Sequence, residues 1–442
     1  MASLERRLGL WHASAINMTD MVGIGPFITL PTVIGMMNGP YFLYAWLAGA
    51  FLSIVDGMVW SELGAAFPRA GGSYNFLKEA YGKNSAGKMM SFLFVWQTMI
   101  QAPLVIASAA IGFAKYFSFL VPLTDITEKF VSGGVVILIV ILLYRKIDAI
   151  GKISIFLWSG VIITMFWIIG GGIAHGNFLE PIRNINSGIT VDYAFVTAIG
   201  FASVKSVYSY LGYYNVCHLG SEIKNPSKNI PRSMFISIIG IAILYFFMNV
   251  SVVSVIPWQQ AKDSEFVVSE FMETLLGHNA AIIVTCLILW VAFASVFSAT
   301  LGYSRIPYAA AEDGEFFKVF AKLHPTKNFP YVSLLFLGSM AFIFSMFLKL
   351  SEVISAILAM RIMIQFVGQA VGLLLLRSNR SSDEFPYKMP LFPLPVFLAI
   401  AMWLFILIST GSKLMFSGLI VIFLGTIVYF IKATVQKEWP FK

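Results

Sequence analysis

Long apolar runs recur along the whole chain, and they decide what it can fold into. Bounded by polar or Pro/Gly-rich breaks, they lie at approximately 10–35, 39–66, 88–118, 130–144, 151–174, 192–219, 232–256, 279–311, 330–348, 351–376, 390–410 and 413–432. A hydrocarbon core of about 30 Å takes roughly 20 helical residues at ~1.5 Å each. Twelve crossings therefore consume most of the 442 residues and leave short loops. The expected class is an all-α polytopic membrane protein of about twelve transmembrane helices. Composition agrees, since 58% of the residues are hydrophobic and 12% charged, against about 25% charged in soluble domains. Soluble multidomain enzymes, disordered chains and disulfide-rich modules are excluded. Cys217 and Cys286 both sit in apolar runs and imply no disulfide framework.

The net charge of +8 raises the question of a nucleic-acid partner, and the position of the bases answers it. Of the 30 Lys and Arg, only Lys115, Lys129, Arg183, Lys262, Lys349 and Lys413 fall on one side of the spans, and Lys205 and Arg361 fall inside them; the rest share the side of the termini. By the positive-inside rule that side is cytoplasmic, so both termini are expected inside, in a plasma (inner) membrane. The charge records orientation and gives no support to nucleic-acid binding. The start of the chain has Arg6 and Arg7 but no compact apolar core ending in a cleavage site, so it reads as a first, uncleaved span. Between spans, 264–276 sets Phe266, Val267, Phe271, Met272, Leu275 and Leu276 against three Glu, the pattern of an interfacial helix.

Two places interrupt the apolar pattern. Val22-Gly23-Ile24-Gly25-Pro26-Phe27, inside the first run, opposes helix continuity, because Gly costs ~1 kcal/mol and Pro ~3 kcal/mol in a helix interior. A broken helix is expected there, with a proline-kinked packing helix as the plainer alternative. The G-x-G lacks a third glycine and follows no strand, so it is no dinucleotide fingerprint. A second polar and aromatic interruption lies in the sixth run, at 208–215, with Gly200 upstream. Paired interruptions in corresponding spans point to a secondary-transporter site at mid-membrane.

Four ionisable residues lie at membrane depth: Asp20, Asp56, Lys205 and Arg361. Such groups are costly in lipid and face a cavity or a partner. Asp20 and Lys205, one turn before the two breaks, are candidates to face a substrate path; mutual neutralisation of the four is the other reading. No nucleotide loop, metalloprotease motif or nucleophile elbow is present, and the five His share no metal-binding spacing. Neither a metal nor another cofactor is expected, nor enzymatic activity. Energy would come from gradients or exchange.

Over essentially its full length the sequence resembles the amino acid–polyamine–organocation superfamily of permeases. The stretch 22–27 stands where the family has its Gly-Ser-Gly-Ile-Phe-like unwound loop. Trp60 to Tyr74 resembles the second-span signature Ala-Glu-Leu-Gly…Pro…Gly-Gly-x-Tyr, and Ser221 to Arg232 resembles the Glu-(Val/Ile)-Lys-Asn-Pro stretch after the sixth span. The resemblance implies a leucine-transporter-type fold: a transporter core over 1–376, with inverted repeats at about 10–174 and 192–376, then two further helices and a short cytoplasmic tail in 377–442. It also implies that Gly23, Ile24 and Gly25 cradle a substrate carboxylate at a half-helix N-terminus, and that carbonyls near Tyr208, Ser209 and Leu211 meet the α-ammonium. Tyr208 takes the gate position. Selectivity would come from Gln101, Tyr213, Ser295 and Ser298.

Departures from the family pattern matter too. Ile24 replaces the central Ser, and Pro26 removes one amide donor from the carboxylate cradle. The fifth-span lysine of many members aligns with Gly160 or Val161; Lys152 lies about two turns earlier. Asp20 or Lys205 is expected to take over part of that lysine's electrostatic role. The implied function is a permease for small or neutral L-amino acids, working by exchange or proton coupling, with the amino acid and the lipid bilayer as its partners. Alternatives are a polyamine or organic-cation permease, a sodium-coupled symporter using Ser295 and Ser298, and a non-transporting nutrient sensor. The last usually needs a substantial cytosolic signalling segment, and none is seen in this sequence.

Overall fold

A computed structural model describes residues 4–348 and 350–441. Lys349, counted above among the bases, and Lys442 lie outside the described residues. Every expected run coincides with helix, and the two interruptions with breaks in it. The first run is two helices, α1 (Leu10–Met21) and α2 (Gly25–Met37), bent by 44° at the break between them. After α3 (Leu43–Ala66) come the short α4 (Ser73–Ala80), then α5 (Ala86–Phe117), α6 (Asp125–Leu143) and α7 (Ile147–His175). The sixth run is α8 (Tyr193–Tyr210), an unwound stretch over 211–214, and one further turn, Asn215–His218.

The chain continues through α9 (Pro226–Val253), α10 (Val267–Leu276), α11 (His278–Tyr303), α12 (Arg305–Glu312) and α13 (Tyr331–Phe347). The tenth run is α14 (Leu350–Arg361), a π-helical turn over Ile362–Gly368, and α15 (Gln369–Asn379). Two last helices follow, α16 (Leu394–Ser409) and α17 (Ser412–Gln436). Among the described residues, eight helical segments are long and apolar enough to cross a membrane, and the bent pair makes a ninth. The shorter apolar α13 and α16, and α8 with Lys205 inside it, occupy the remaining expected runs.

Packing separates a core from a lipid-facing rim. The broken helices lie at the centre: α1 packs on α9, α7 and α11, and α2 on α8. The last helix, α17, turns Phe416, Ile420, Phe423 and Ile431 outward, as expected where the surrounding solvent is hydrocarbon. The 264–276 segment departs from its interfacial expectation. Val267, Val268, Phe271 and Met272 of α10 are fully buried, and the helix lies on α11. Its apolar face is turned into protein, so the pattern that suggested a lipid surface is satisfied by α11 instead.

On the side of the termini, the two long signature stretches meet. The Gly71 N–H donates to the His218 carbonyl at 3.0 Å and the Ala70 N–H to Ser221 Oγ at 2.9 Å. Gly72 has φ +51°, and a Cβ on Gly220 would stand 2.8 Å from the Arg69 carbonyl oxygen, so both positions require glycine. Glu222 accepts from Arg305 at 3.0 Å with both side chains buried, and its carbonyl takes the N–H groups of Arg7 and Leu8. A nearby group joins α4 to the end of α12: Asp313 accepts from Lys78 at 2.8 Å, Arg69 at 3.1 Å and Tyr74 at 3.1 Å. Burial opposes ionisation of Asp313, but the hydrogen bond and charge of Lys78, with Arg69 and Tyr74, outweigh it and hold the carboxyl below the usual range.

Two outcomes follow from this locked side. Glu222→Gln leaves Arg305 buried without its counter-charge, and thermal unfolding in detergent should show a loss of about 3 kcal/mol or more. Equal melting of variant and wild type would show that the pair holds nothing. For Asp313, a depressed folded pKa means a contribution fully present above the unfolded value of ~3.9 and lost as pH falls through the lower folded one. Asp313→Asn should therefore shrink the drop in melting temperature that the wild type shows below about pH 4.

Candidate functional site

The site is built where the two broken helices approach each other. At the first break the regular ladder stops after Val22 N–H to Met18 O (2.9 Å), and Gly23 N–H bonds only to Met21 O (3.1 Å). Pro26 sits in the first turn of α2, where an N–H would have no intrahelical partner. The glycines allow the close approach. A Cβ on Gly23 would lie 2.8 Å from Ser295 Cβ, and one on Gly25 would lie 3.2 Å from Ser209 Oγ. In the second break, Gly212 has φ +123° and its missing Cβ would stand 2.9 Å from the Asp20 backbone carbon. Only glycine meets both conditions.

Peptide groups in and beside the breaks are bound by side chains of the broken spans and their neighbours. Tyr245 Oη of α9 donates toward Met21 O at 2.7 Å and Ser209 O at 3.1 Å, and so binds both breaks. Ser298 Oγ of α11 donates to Ile16 O at 2.6 Å, and Ser295 Oγ to Asp20 O at 3.3 Å. Asn17 Oδ1 accepts from the Val216 N–H at 2.9 Å, while Asn215 Nδ2 donates to Ser298 O at 2.9 Å.

Between the breaks lies a cavity of about 40 Å3. Some 10–15 Å3 of such space holds one water, so this is room for a few waters or a very small solute. Of the sequence-predicted residues, Gly23, Ile24 and Gly25 line it on one side and Tyr208, Ser209 and Leu211 on the other; Ser295 also faces it. Tyr208 and Ser209 are still helical, the last turn of α8, and unwinding begins only at Leu211. Tyr208 is held by a 2.9 Å hydrogen bond with Ser108 of α5.

The four intramembrane charges part company. Asp20 and Arg361 line the cavity together. Among the described residues, no ion pair within 4.0 Å joins them, so they do not form a close salt bridge. Asp56 is elsewhere, accepting from Tyr213 Oη at 2.5 Å and Trp403 Nε1 at 3.0 Å. Lys205 does not line the cavity. This corrects the expectation for Tyr213, which ties the second break to Asp56 of α3 and has no place in the cavity wall. Ser298 is likewise off the wall, tied to α1 and Asn215. Gln101 is buried one turn along α5 from the lining residue Val105, with its Nε2 unpartnered. Gly160, one of the two positions aligned with the family lysine, lies under the Trp290 indole, whose Nε1 donates to Leu157 O at 2.9 Å.

Several residues were missed by the sequence. Tyr214 and Tyr303 line the cavity beside Arg361, whose guanidinium lies 4.9 Å and 5.8 Å from their ring centres. The π-helical turn begins at the residue after Arg361, and Arg361 Nε donates to Gln365 Oε1 within it at 2.9 Å. Such turns recur at functional sites. Tyr245 was also passed over, although a tyrosine in the middle of the apolar seventh run was a usable signal. Tyr245→Phe removes the hydroxyl from two unwound carbonyls and should cost about 1–3 kcal/mol in thermal unfolding. An unchanged melting temperature would mean that other groups hold the breaks.

The family described as "Amino acid permease" matches residues 8–432. The serine/threonine exchanger SteT of Bacillus subtilis (strain 168) is 25% identical over 412 residues, covering 92% of this chain and 91% of its own. The branched-chain amino acid permease BcaP of the same organism is 23% identical over 461 residues, covering 97% and 93%. The cystine/glutamate transporter of Homo sapiens is 24% identical over 396 residues, covering 88% and 77%. The match runs from just before α1 to within α17, across both breaks and the cavity between them, and the chain belongs to the amino acid permease family.

Proposed function

We propose that the protein moves small or neutral L-amino acids by alternating access, through exchange or coupled to a proton. The observation that carries this reading is the cavity itself. It brings together the N-terminal end of α2, the C-terminal end of α8, one carboxylate and one guanidinium. A helix N-terminus favours negative charge and a helix C-terminus positive charge. The set as a whole is complementary to a zwitterion, and 40 Å3 favours a small one. The relatives' names, a serine/threonine exchanger and a branched-chain amino acid permease, point the same way.

On this reading 10–174 and 192–376 are the inverted repeats of a transporter core within 1–376, and 377–442 adds two helices and a tail. The excess of Lys and Arg on the terminal side supports cytoplasmic termini in a plasma (inner) membrane. Asp20 is the coupling group, since it lies in the cavity wall and Lys205 does not. A polyamine would want several carboxylates; Asp20 shares the cavity with Arg361, and Asp56 is occupied by Tyr213 and Trp403. Ser295 and Ser298, the residues of the sodium alternative, both donate to α1 carbonyls, and the sodium arm of the test below separates that alternative from exchange or proton coupling.

The test is reconstitution in liposomes with labelled alanine, serine, threonine, valine and putrescine, with and without sodium, a pH gradient and internal amino acid. Uptake of at least one of the neutral amino acids, raised severalfold by internal amino acid or by inward acidification, is expected. Uptake of putrescine alone would overturn the reading. Asp20→Asn should slow transport at least about tenfold and flatten its pH dependence; a wild-type pH profile in this variant would remove Asp20 from the coupling step.

A further inference from the structure

Arg361, in the cavity wall, has a buried terminal nitrogen without a hydrogen-bond partner. Its side chain is completely buried at membrane depth. Nε is fixed by Gln365, the guanidinium lies 4.9 Å from the Tyr214 ring centre and 5.5 Å from that of Phe366, and Nη2 has no hydrogen-bond partner. A guanidinium presents a planar fork suited to a carboxylate. Here the aromatic rings and Gln365 orient that fork, and one of its terminal nitrogens is left unpaired in a site that also contains Asp20.

The first break, which lines the same cavity, is short of donors. The opening amides of α2 would face an anion, but Pro26, the second residue of that helix, has no N–H to give. We propose that Arg361 binds the carboxylate of the transported zwitterion, together with the amides of the first break, and so supplies the donor that Pro26 withdraws. The ammonium then lies toward Asp20 and the C-terminal carbonyls of α8. Charges balance without a counter-ion: a zwitterion adds none, and Arg361 and Asp20 cancel. Arg361 is thereby a specificity-determining residue, selecting free α-carboxylates over amines and amides. This inference rests on the amino acid reading above.

The experiment compares thermal-shift affinities of purified full-length protein for L-alanine, L-threonine and L-valine with those for the carboxamides of the same three. The wild type should bind at least one acid, and its carboxamide at least about tenfold more weakly. In Arg361→Gln, affinity for that acid should fall roughly 10- to 100-fold, the usual worth of a charged hydrogen bond. Affinity for the carboxamide should move less than about threefold, so discrimination disappears. A parallel loss for both ligands, which a merely structural role would give, overturns the proposal, as does retained discrimination. Should Arg361→Gln fail to yield monodisperse protein, Arg361→Lys and Gln365→Leu decide: discrimination must fall in both, and wild-type discrimination in either overturns it. If the wild type binds none of the three acids, the amino acid reading itself fails and this one with it. Retained discrimination in the variants sinks this inference alone.

Discussion

Lipid offers no hydrogen bonds to a peptide group, and the whole centre of this protein answers to that constraint. Unwinding α1–α2 and α8 creates a binding surface of main-chain amides and carbonyls, and it also strands peptide groups at membrane depth. The side chains that receive them come from two other spans, Tyr245 on α9 and Ser295 and Ser298 on α11, with Asn17 and Asn215 joining the broken spans themselves. Because Tyr245 reaches a carbonyl from each break, the two cannot shift independently without losing a bond. The breaks are thus a single element held in common, as an alternating site between two bundles would need.

The same constraint explains the division of labour among buried charges. Asp56 is saturated by Tyr213 and Trp403, and Glu222 by Arg305. Each joins separate spans or loops, and burying it is tolerated because it is bonded. Asp20 and Arg361 are different in kind. They share a cavity, yet among the described residues no ion pair of 4.0 Å or less joins them. A charge held in the membrane is costly and normally faces a cavity or a partner, as these two do.

Much of this was legible in the sequence because the determinants are local. Gly-Ile-Gly-Pro breaks a helix wherever it stands, and apolar runs of span length are helices in lipid. The residues flanking the breaks, Asp20, Gly23, Gly25 and Ser209, could be named for the same reason. What could not be read was partnership across spans. Nothing local to Tyr213 distinguishes a residue that lines the cavity from one that turns away to Asp56, 157 positions earlier in the chain. The π-helical turn after Arg361 was equally hidden, since Ile362 to Gly368 reads as ordinary helix. Segment 264–276 shows the converse error: amphipathicity marks a covered face but not what covers it, and here α11 covers it.

The arrangement of Arg361 and Asp20 bears on how the carrier would cycle on the proposed reading. With a zwitterion bound, each charged group has an opposite charge beside it. Without it, Arg361 keeps Gln365 and the rings of Tyr214, Tyr303 and Phe366, and no ion pair of 4.0 Å or less joins it to Asp20 among the described residues. Closing the site around unsatisfied charges costs more than closing it around satisfied ones, so the empty carrier faces the higher barrier to reorientation. That asymmetry favours exchange, in which the site never reorients empty. Protonating Asp20 would quench only one of the two charges and leave Arg361 exposed to the same cost, so proton coupling alone relieves the barrier less completely than a second amino acid does.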